Sequence, residues 1–197
     1  MRRSLPRDER QKAERAIGNA LRHLKLLRRG HRIAVYLAMA GEVDLGPTIE
    51  ALWRAGCLLH VPRIVSRRRG RMGFVPFPPG ARLRANPNAY GIAEPVASAT
   101  AAISPRNLDA VLMPVVGFDR HGNRLGMGAG YYDRALRHLQ GGSRRWRRPR
   151  LVGLAFACQE VELIVPSTWD IPLDVVVTER GVIVPERQRP HPAPRSN

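Results

Sequence analysis

The spacing of apolar and polar residues predicts an amphipathic helix followed by a buried strand at the start of the chain. Residues 7–29 carry apolar side chains at helical intervals with basic residues between them: Ala13, Ile17, Ala20, Leu21, Leu24 and Leu27. Residues 33–38 form a continuous apolar run of strand length, which is typical of a parallel strand covered on both faces. Gly30 separates the two patterns and is expected to end the helix.

Further along the chain the pattern alternates between strands and helices. Helices are predicted at residues 47–55, 131–139 and, as a short element, 160–165. Strands are predicted at residues 57–64, 72–77, 108–116, 151–158, 173–178 and 182–184. The strand at 72–77 is expected to be antiparallel to its predecessor, and the last two strands are expected to pair with each other. Residues 78–105 contain five prolines and few apolar runs, so we expect a long surface connection there.

This succession predicts an α/β fold. We expect a single-domain, three-layer, Rossmann-like arrangement in which helices flank a largely parallel sheet. The domain is expected to cover residues 1–185. Residues 186–197 are rich in proline and arginine and are expected to form a disordered basic tail.

Composition narrows the class of protein. Apolar residues make up 44% of the 197 residues, enough for a sizeable core. The longest apolar runs, such as 33–40 and 151–158, are far shorter than the roughly 20 residues that a membrane helix needs. The first residues are charged and lack the apolar stretch of a secretory signal, so we expect a cytoplasmic protein without a membrane segment. Cys57 and Cys158 lie in apolar runs and are expected to be small buried side chains rather than a disulfide or a metal site.

The formal net charge of +17, taken alone, points towards nucleic acid or another polyanion. Nearly all of the positive charge is arginine, since Lys12 and Lys25 are the only lysines. These arginines are spread over the first helix, the loops and the tail, which favours a compositional bias over a binding stripe. We therefore expect a small anionic ligand and a monomer, with no specific nucleic-acid role. An arginine-rich RNA-binding protein remains the alternative.

Residues 124–134 form a glycine-rich stretch on which the functional prediction depends. Gly126, Gly128 and Gly130 stand at alternate positions before a predicted helix, so their backbone N–H groups can approach a phosphate closely. The stretch is neither a P-loop, because no Gly-Lys-Ser/Thr follows, nor the dinucleotide fingerprint, because its last two glycines are two apart. A turn that merely caps a helix is the simpler alternative. The adjacent tyrosines, aspartate and arginines favour a phosphate site, because they add stacking surface, a cation ligand and phosphate donors.

Residues 113–134 resemble the signature of the 5-formyltetrahydrofolate cyclo-ligase family, also called the methenyltetrahydrofolate synthetases. Further segments that resemble motifs of this family are residues 36–44, 90–95, 151–159 and 169–178, and the likeness extends from Arg2 to about Val184. The resemblance implies conversion of 5-formyltetrahydrofolate to 5,10-methenyltetrahydrofolate with ATP as co-substrate and Mg²⁺, and release of ADP and phosphate. It also implies phosphorylation of the formyl oxygen followed by intramolecular ring closure.

The same resemblance implies which residues form the site. Those implied to bind ATP are Arg124, Leu125, Gly126, Met127, Gly128, Ala129, Gly130, Tyr131 and Tyr132. Those implied to bind the folate substrate are Glu42, Met127, Gly128, Ala129, Gly130 and Tyr131. Arg124 and Tyr131 are implied to be catalytic, and Asp133 and Asp170 are implied to bind Mg²⁺, which prefers oxygen ligands beside phosphates.

Each charged candidate has a plainer alternative. Arg124 could be a solvated loop arginine, and Glu42 could be a solvated turn glutamate. Asp133 could simply favour the dipole of the helix that it begins, and Asp170 could be an ordinary turn residue before a proline.

The aromatic candidates also leave alternatives open. Tyr131 could stack on a ring or only pack against the start of the helix. Tyr90, in the long connection, is a weaker stacking candidate that could belong to the core.

Overall fold

The computed structural model describes residues 5–24, 28–66, 68–84, 93–96, 98–140 and 149–186. Its helices are α1 (Arg7–Arg22), α2 (Gly46–Arg54) and α3 (Tyr131–Leu136). Its strands are β1 (Arg32–Ala34), β2 (Leu58–Ser66), β3 (Arg71–Pro76), β4 (Ala110–Pro114), β5 (Gly117–Phe118), β6 (Arg124–Leu125), β7 (Arg150–Leu154), β8 (Val175–Thr178) and β9 (Gly181–Ile183). Within the described residues, no helix is both long enough and apolar enough to cross a membrane.

One seven-stranded sheet forms the centre of the structure, in the order β3-β2-β1-β4-β7-β8-β9. The five central strands run parallel to one another. The two edge strands, β3 and β9, are antiparallel to their neighbours, which confirms both predicted antiparallel pairs. The largely parallel sheet of the predicted α/β fold is therefore confirmed.

Helices cover the sheet on both faces, so the predicted three layers are also confirmed. Successive residues of β1 point to opposite faces, with Ile33 in one core and Ala34 in the other. Helices α1 and α2 cover the first core, to which they contribute Ile17, Leu21, Ile49 and Leu52. Helix α3 covers the second core, where Leu136 packs with Met113, Leu151 and Val176. Because strands buried on both faces must be apolar at nearly every position, these runs were recognisable in the sequence.

Helix α1 ends at Arg22, so the predicted end at residue 29 is wrong. The backbone N–H groups of His23 and Leu24 bond to the carbonyl oxygens three residues before them, at 3.2 and 3.0 Å, which closes the helix. Gly30 does not end a helix. It has a φ of +78° and donates its N–H to the Gly56 carbonyl oxygen at 2.9 Å, just before β1.

The short helix predicted at residues 160–165 is also wrong. Helical hydrogen bonds are replaced there by bonds to the last residue of β5 and to the turn that follows it. The Val161 N–H donates to the Phe118 carbonyl oxygen at 2.9 Å, and the Ile164 N–H donates to Asp119 Oδ2 at 3.0 Å. The expected tail at 186–197 lies outside the described residues except for Glu186, whose N–H donates to the Arg120 carbonyl oxygen at 3.2 Å.

The strand order reverses between β1 and β4. The chain leaves β1 for β2 on one side and returns to β4 on the other side of β1. The loops that follow such neighbouring strands separate at the carboxyl edge of the sheet and leave a crevice, which is where ligands bind in open α/β folds. The functional site is therefore expected after β1 and β4.

A small antiparallel pair, β5 and β6, lies between β4 and the glycine-rich stretch and was not predicted. It pairs Gly117 with Leu125 and Phe118 with Arg124. The turn between these strands is organised by the carboxylate of Asp119, which is fully buried. Its Oδ1 accepts the N–H groups of His121 and Asn123, each at 2.9 Å, and its Oδ2 accepts the Asn123 side-chain amide at 2.9 Å.

These hydrogen bonds decide the charge of Asp119. Burial would raise the pKa of its carboxyl group, but the bonds from the Asn123 side chain and from the N–H groups of Ile164, Asn123 and His121 outweigh burial, and the pKa is lowered. The buried carboxylate is therefore ionised at neutral pH and fixes the path of the chain into Arg124.

The free energy of unfolding should depend on pH through Asp119. Because its pKa is lower in the folded chain than the ordinary value of 3.8, its contribution is present above that value and is lost as the pH falls through the folded pKa. We expect the free energy of unfolding of Asp119→Asn to be about 1–3 kcal/mol lower at pH 7. The NH₂ group of asparagine replaces one carboxylate oxygen, so an N–H donor that this oxygen accepted would then face another donor. Urea unfolding between pH 3 and 7 measures both effects. The exposed Asp8→Asn is the control, and equal stability of the two variants at pH 7 would contradict the prediction.

Candidate functional site

A cavity of about 850 Å³ lies at the carboxyl edge of the sheet, at the reversal between β1 and β4. Segments from several parts of the chain line it. They include Tyr36 and Glu42 after β1, Pro114 to Val116 at the end of β4, the whole of Arg124 to Arg134, and Trp169 and Asp170. All the site residues predicted from the sequence that the structure describes therefore line one cavity. A second groove of about 630 Å³ between α1 and α2 contains none of them.

The glycine-rich stretch forms an exposed loop, which we call the glycine loop (residues 126–130). Gly128 and Gly130 have φ values of +84° and +60°, a conformation that other residues rarely adopt. A Cβ atom added at Gly126 or Gly128 would meet nothing within 4 Å, so the backbone there faces open space. The start of the loop is held because the Val116 N–H donates to the Leu125 carbonyl oxygen at 2.8 Å. The loop thus offers bare backbone to the cavity.

The helix after this loop is shorter than predicted. Helix α3 covers Tyr131–Leu136 and continues as a single 3₁₀ turn, Arg137–Leu139. Six α-helical residues carry only a small macrodipole, because the dipole is the sum of aligned peptide units. The backbone N–H groups of the glycine loop, rather than the helix, are therefore the main groups that can attract an anion here.

Arg124 and Asp133 form an ion pair at the wall of the cavity. The distance between Arg124 Nη2 and Asp133 Oδ1 is 2.5 Å, and the two side chains are 8% and 23% exposed. Arg124 Nη1 donates to the carbonyl oxygen of Ile171, whose own N–H donates to Asp133 Oδ1 at 3.2 Å. Strand β6, helix α3 and the segment before β8 are thus joined by three mutual contacts. Arg124 is not a solvated loop arginine, which was its plainer alternative.

Asp133 and Asp170 lie on the same cavity but on different segments. Asp170 belongs to a turn in which its Oδ2 accepts the Ser167 N–H at 2.8 Å. No group of three or more His, Cys, Asp or Glu side chains that could enclose a metal occurs in the part of the chain that the structure describes. Two carboxylates on one cavity are nevertheless a donor set that fits Mg²⁺, which is commonly bound by one or two carboxylates together with substrate phosphates and water.

Glu42 also lines the cavity, from the turn after β1, and only 8% of it is exposed. Its Oε2 accepts the Met39 N–H at 2.9 Å, and its carbonyl oxygen accepts a bond from Arg10 Nη1 at 3.4 Å. It is therefore not a solvated turn glutamate. Burial and then the nearby Glu42 carboxylate raise the pKa of both Tyr36 and Tyr132, so these phenols remain protonated at neutral pH.

Tyr131 begins α3 and lines the cavity. The guanidinium carbon of Arg134 lies 5.0 Å from the centre of its ring, a cation–π arrangement. The ring is thus held by its own helix and is also accessible from the cavity, so both interpretations of Tyr131 are compatible with its position. Tyr90 lies outside the described residues. Within the same resembling segment, Glu94 pairs at 3.9 Å with Arg63, which lines the cavity.

Two large apolar side chains are exposed at the cavity, and the sequence did not predict this exposure. Trp169 is 65% exposed and Met127 is 61% exposed, although both are large and hydrophobic. The sequence indicated a role for Met127 only through the backbone of the glycine-rich stretch. It indicated Trp169 only as part of a segment that resembles a family motif. Large apolar groups left in a cavity are available to cover a flat ligand. Their exposure could not be known before the chain was folded.

Gln159 supports the floor of the cavity and was also missed. It is buried, and its Nε2 donates to the carbonyl oxygens of Val115 and Val116 at 2.7 and 2.8 Å. Its Oε1 accepts the Phe156 N–H at 2.9 Å. The carboxyl end of β4 is therefore fixed by a side chain that follows β7. The signals in the sequence were a glutamine directly after an apolar run and its place at the end of the resembling segment 151–159.

Comparison with known proteins assigns the chain to a family. Residues 1–179 match the model of the 5-formyltetrahydrofolate cyclo-ligase family. The chain is 38% identical over 152 residues to the 5-formyltetrahydrofolate cyclo-ligase of Escherichia coli (strain K12), covering 77% of this chain and 80% of that protein. It is 32% identical over 168 residues to the enzyme of the same name from Haemophilus influenzae, covering 84% and 85%.

A solved structure agrees with this assignment. The NMR structure of Aquifex aeolicus 5,10-methenyltetrahydrofolate synthetase superposes with a TM-score of 0.73 at 28% identity, covering 99% of this chain and 93% of that one. The family match, the relatives and the fold thus agree with the cavity described above, and we conclude that this chain is an enzyme of the 5-formyltetrahydrofolate cyclo-ligase family.

Proposed function

We propose that this protein converts 5-formyltetrahydrofolate to 5,10-methenyltetrahydrofolate with ATP and Mg²⁺ and releases ADP and phosphate. The observation that carries the proposal is that one cavity of about 850 Å³ joins the glycine loop to Glu42, Asp133 and Asp170. Relatives at up to 38% identity bear the name of this activity.

The chemistry explains why two substrates must meet. A formamide carbon is a weak electrophile because its nitrogen donates electrons into the carbonyl group. Transfer of the γ-phosphoryl group of ATP to the formyl oxygen makes that oxygen part of a leaving phosphate. The second nitrogen of the folate then attacks the formyl carbon within the same molecule. This nitrogen releases its N–H proton, the C–O bond to phosphate breaks and the ring closes. The protein mainly has to hold both substrates in line, since intramolecular attack removes most of the entropic barrier.

The glycine loop is assigned to the triphosphate. Its glycines line the cavity, and Gly126 and Gly128 leave the backbone open there, where backbone N–H groups would bind phosphate oxygens well. Arg124 lies two residues before the glycine loop, and its guanidinium plane is fixed by Asp133 and by the Ile171 carbonyl oxygen. A guanidinium has five N–H donors, so these two contacts leave others that can reach a transferring phosphoryl group. Asp133 and Asp170 would hold Mg²⁺, which would neutralise phosphate charge.

Glu42 is assigned to the folate. A buried carboxylate accepts paired hydrogen bonds readily, and the amide edge of a pterin presents paired N–H donors. Tyr36 lies beside it, with its hydroxyl donating to the Val43 carbonyl oxygen at 2.9 Å, and therefore stabilises the turn that carries Glu42. Glu42 and the glycine loop belong to different segments that line the same cavity, so a folate on Glu42 and a nucleotide on the loop would meet there.

Purified protein should form the methenyl product only when ATP, Mg²⁺ and 5-formyltetrahydrofolate are all present. The absorbance of the product measures this directly, and omission of each component in turn is the control. Folded protein that gives no product under any of these conditions would contradict the proposal. If the same protein bound RNA tightly and with a steep salt dependence, the arginine-rich RNA-binding alternative would be supported instead.

Two aspartate variants should separate the ion pair from metal binding. Asp133→Asn and Asp170→Asn should both reduce the part of the ATP-induced thermal stabilisation that requires Mg²⁺, because each removes one anionic oxygen ligand. Only Asp133→Asn should also destabilise the ligand-free protein, by about 1–3 kcal/mol, because it removes the charged partner of Arg124. Thermal unfolding without ATP measures the stability of the ligand-free protein, and thermal unfolding with ATP and Mg²⁺, with and without EDTA, measures the metal-dependent shift. An unchanged Mg²⁺-dependent shift in either variant would remove that residue from the metal site.

Trp169 should stack on a flat ring of a substrate. Removal of one stacked aromatic ring costs about 1–3 kcal/mol, so Trp169→Ala should raise KM for one of the two substrates by roughly 5- to 150-fold. Trp169→Phe should retain most of the affinity. Val165, which is 86% exposed and does not line the cavity, provides the control Val165→Ala. Steady-state kinetics with each substrate varied in turn identify which ring is involved, and equal KM values in Trp169→Ala and wild type would exclude stacking.

A further inference from the structure

Arg134 makes contacts that the sequence did not indicate. Its position beside the glycine loop suggested a donor to phosphate. In the structure its Nη2 donates to the carbonyl oxygen of Ala129 at 2.7 Å, which is inside the glycine loop. Its Nε donates to the carbonyl oxygen of Gly70 at 3.1 Å, in the turn between β2 and β3. One planar side chain thus connects two loops that lie about 60 residues apart in the sequence.

Two glycines leave room for this guanidinium because they have no side chain. A Cβ atom added at Gly70 would lie 2.7 Å from Arg134 Nε, and one added at Gly130 would lie 2.9 Å from Arg134 Nη1. Both glycines have positive φ values, +57° and +60°. The guanidinium therefore occupies space that any other residue at these two positions would need. The Tyr131 ring lies against the same group, with 5.0 Å between the ring centre and Arg134 Cζ.

We propose that Arg134 is a positioning residue that fixes the curvature of the glycine loop and the orientation of Tyr131 by tying them to Gly70 of the β2–β3 turn. Arg134 itself is not a ligand of the phosphates in this proposal. Its effect on ATP affinity rests on the proposed function, whereas its effect on the order of the glycine loop does not. In this proposal the β2–β3 turn makes none of the proposed ligand contacts but helps to determine the conformation of the glycine loop.

The geometry of arginine is needed for this role. Nε and Nη2 lie at fixed positions in one plane, so a single side chain can donate to two carbonyl oxygens in different directions. A lysine ammonium is a point charge on a flexible stem and can hold only one of the two loops at a time with comparable geometry. Backbone amides released from such a support sample more conformations, and each bound phosphate must then order them again.

The test uses substitutions that act from either end of the link. Arg134→Met removes both donated bonds, Arg134→Lys retains one charge, and Gly70→Ala displaces the guanidinium while leaving Arg134 and the glycine loop intact. Gly80→Ala is the matched control, because Gly80 also has a positive φ, +73°, but a Cβ there meets nothing within 4 Å. Arg120→Lys controls for loss of an arginine, since Arg120 pairs with Glu160 at 2.8 Å away from the cavity.

Two measurements are made on each variant: hydrogen exchange of the amides of residues 126–131 without ligand, and calorimetric binding of ATP with Mg²⁺. We expect exchange about tenfold faster and ATP affinity about tenfold weaker in Arg134→Met and Gly70→Ala, with Arg134→Lys between them and wild type. Gly80→Ala and Arg120→Lys should match wild type in both. The double variant Arg134→Met with Gly70→Ala should resemble Arg134→Met alone, since both remove the same link.

The outcomes separate this proposal from the proposed function. If Gly70→Ala exchanges and binds like Gly80→Ala, the link from the turn to the loop is overturned, even if the enzyme is active. If Arg134→Met retains wild-type exchange and affinity, the positioning role is overturned. If wild type does not bind ATP, the proposed function fails but the exchange comparison still decides the link. Should Arg134→Met fail to fold, Gly70→Ala with Arg134→Lys carries the same test.

Discussion

The site depends on the contact between Arg124 and Asp133 more than on any other single interaction. Each residue comes from a short element, a two-residue strand and a six-residue helix, and neither element is stable alone. The ion pair and the two bonds to Ile171 join these elements to the segment that leads into β8. Because the pair is largely shielded from water, its geometry is better defined than that of an exposed ion pair. The glycine loop lies between the two paired residues and is therefore closed at both ends.

Polar contacts of this kind recur around the cavity and explain how a flexible loop can be shaped without a hydrophobic core of its own. Asp119 organises the turn before Arg124, and Gln159 holds the end of β4. Arg134 joins the glycine loop to the β2–β3 turn. In each case one side chain satisfies backbone groups that the sheet and helices leave unpaired, which is the general requirement for irregular backbone near a protein interior. The apolar core places the strands, and these side chains place the loops.

Several of the many arginines contact groups within the protein itself. A net charge of +17 alone favours a polyanion as partner. Several arginines instead have local partners: Arg124 pairs with Asp133, Arg120 with Glu160, and Arg134 with two carbonyl oxygens. These pairings show that the position of an arginine in a loop does not reveal whether its guanidinium serves a ligand or the backbone.

The sequence by itself determined the layers of the fold, the strand-rich core and the family. Buried parallel strands require continuous apolar runs, so β1, β2, β4, β7 and β8 could be found locally, and the 113–134 motif is specific enough to name a family. Tertiary structure decided that residues 160–165 are not helical and that a β5–β6 pair precedes the loop, because hydrogen-bond partners distant in sequence outcompeted local propensity. It alone decided that Arg124 faces Asp133, that Arg134 reaches Gly70 and that Trp169 is left exposed in the cavity. The two arginine contacts join residues that are 9 and 64 positions apart in the sequence. The exposure of Trp169 depends on which parts of the folded chain cover it. No periodicity along the sequence encodes either feature.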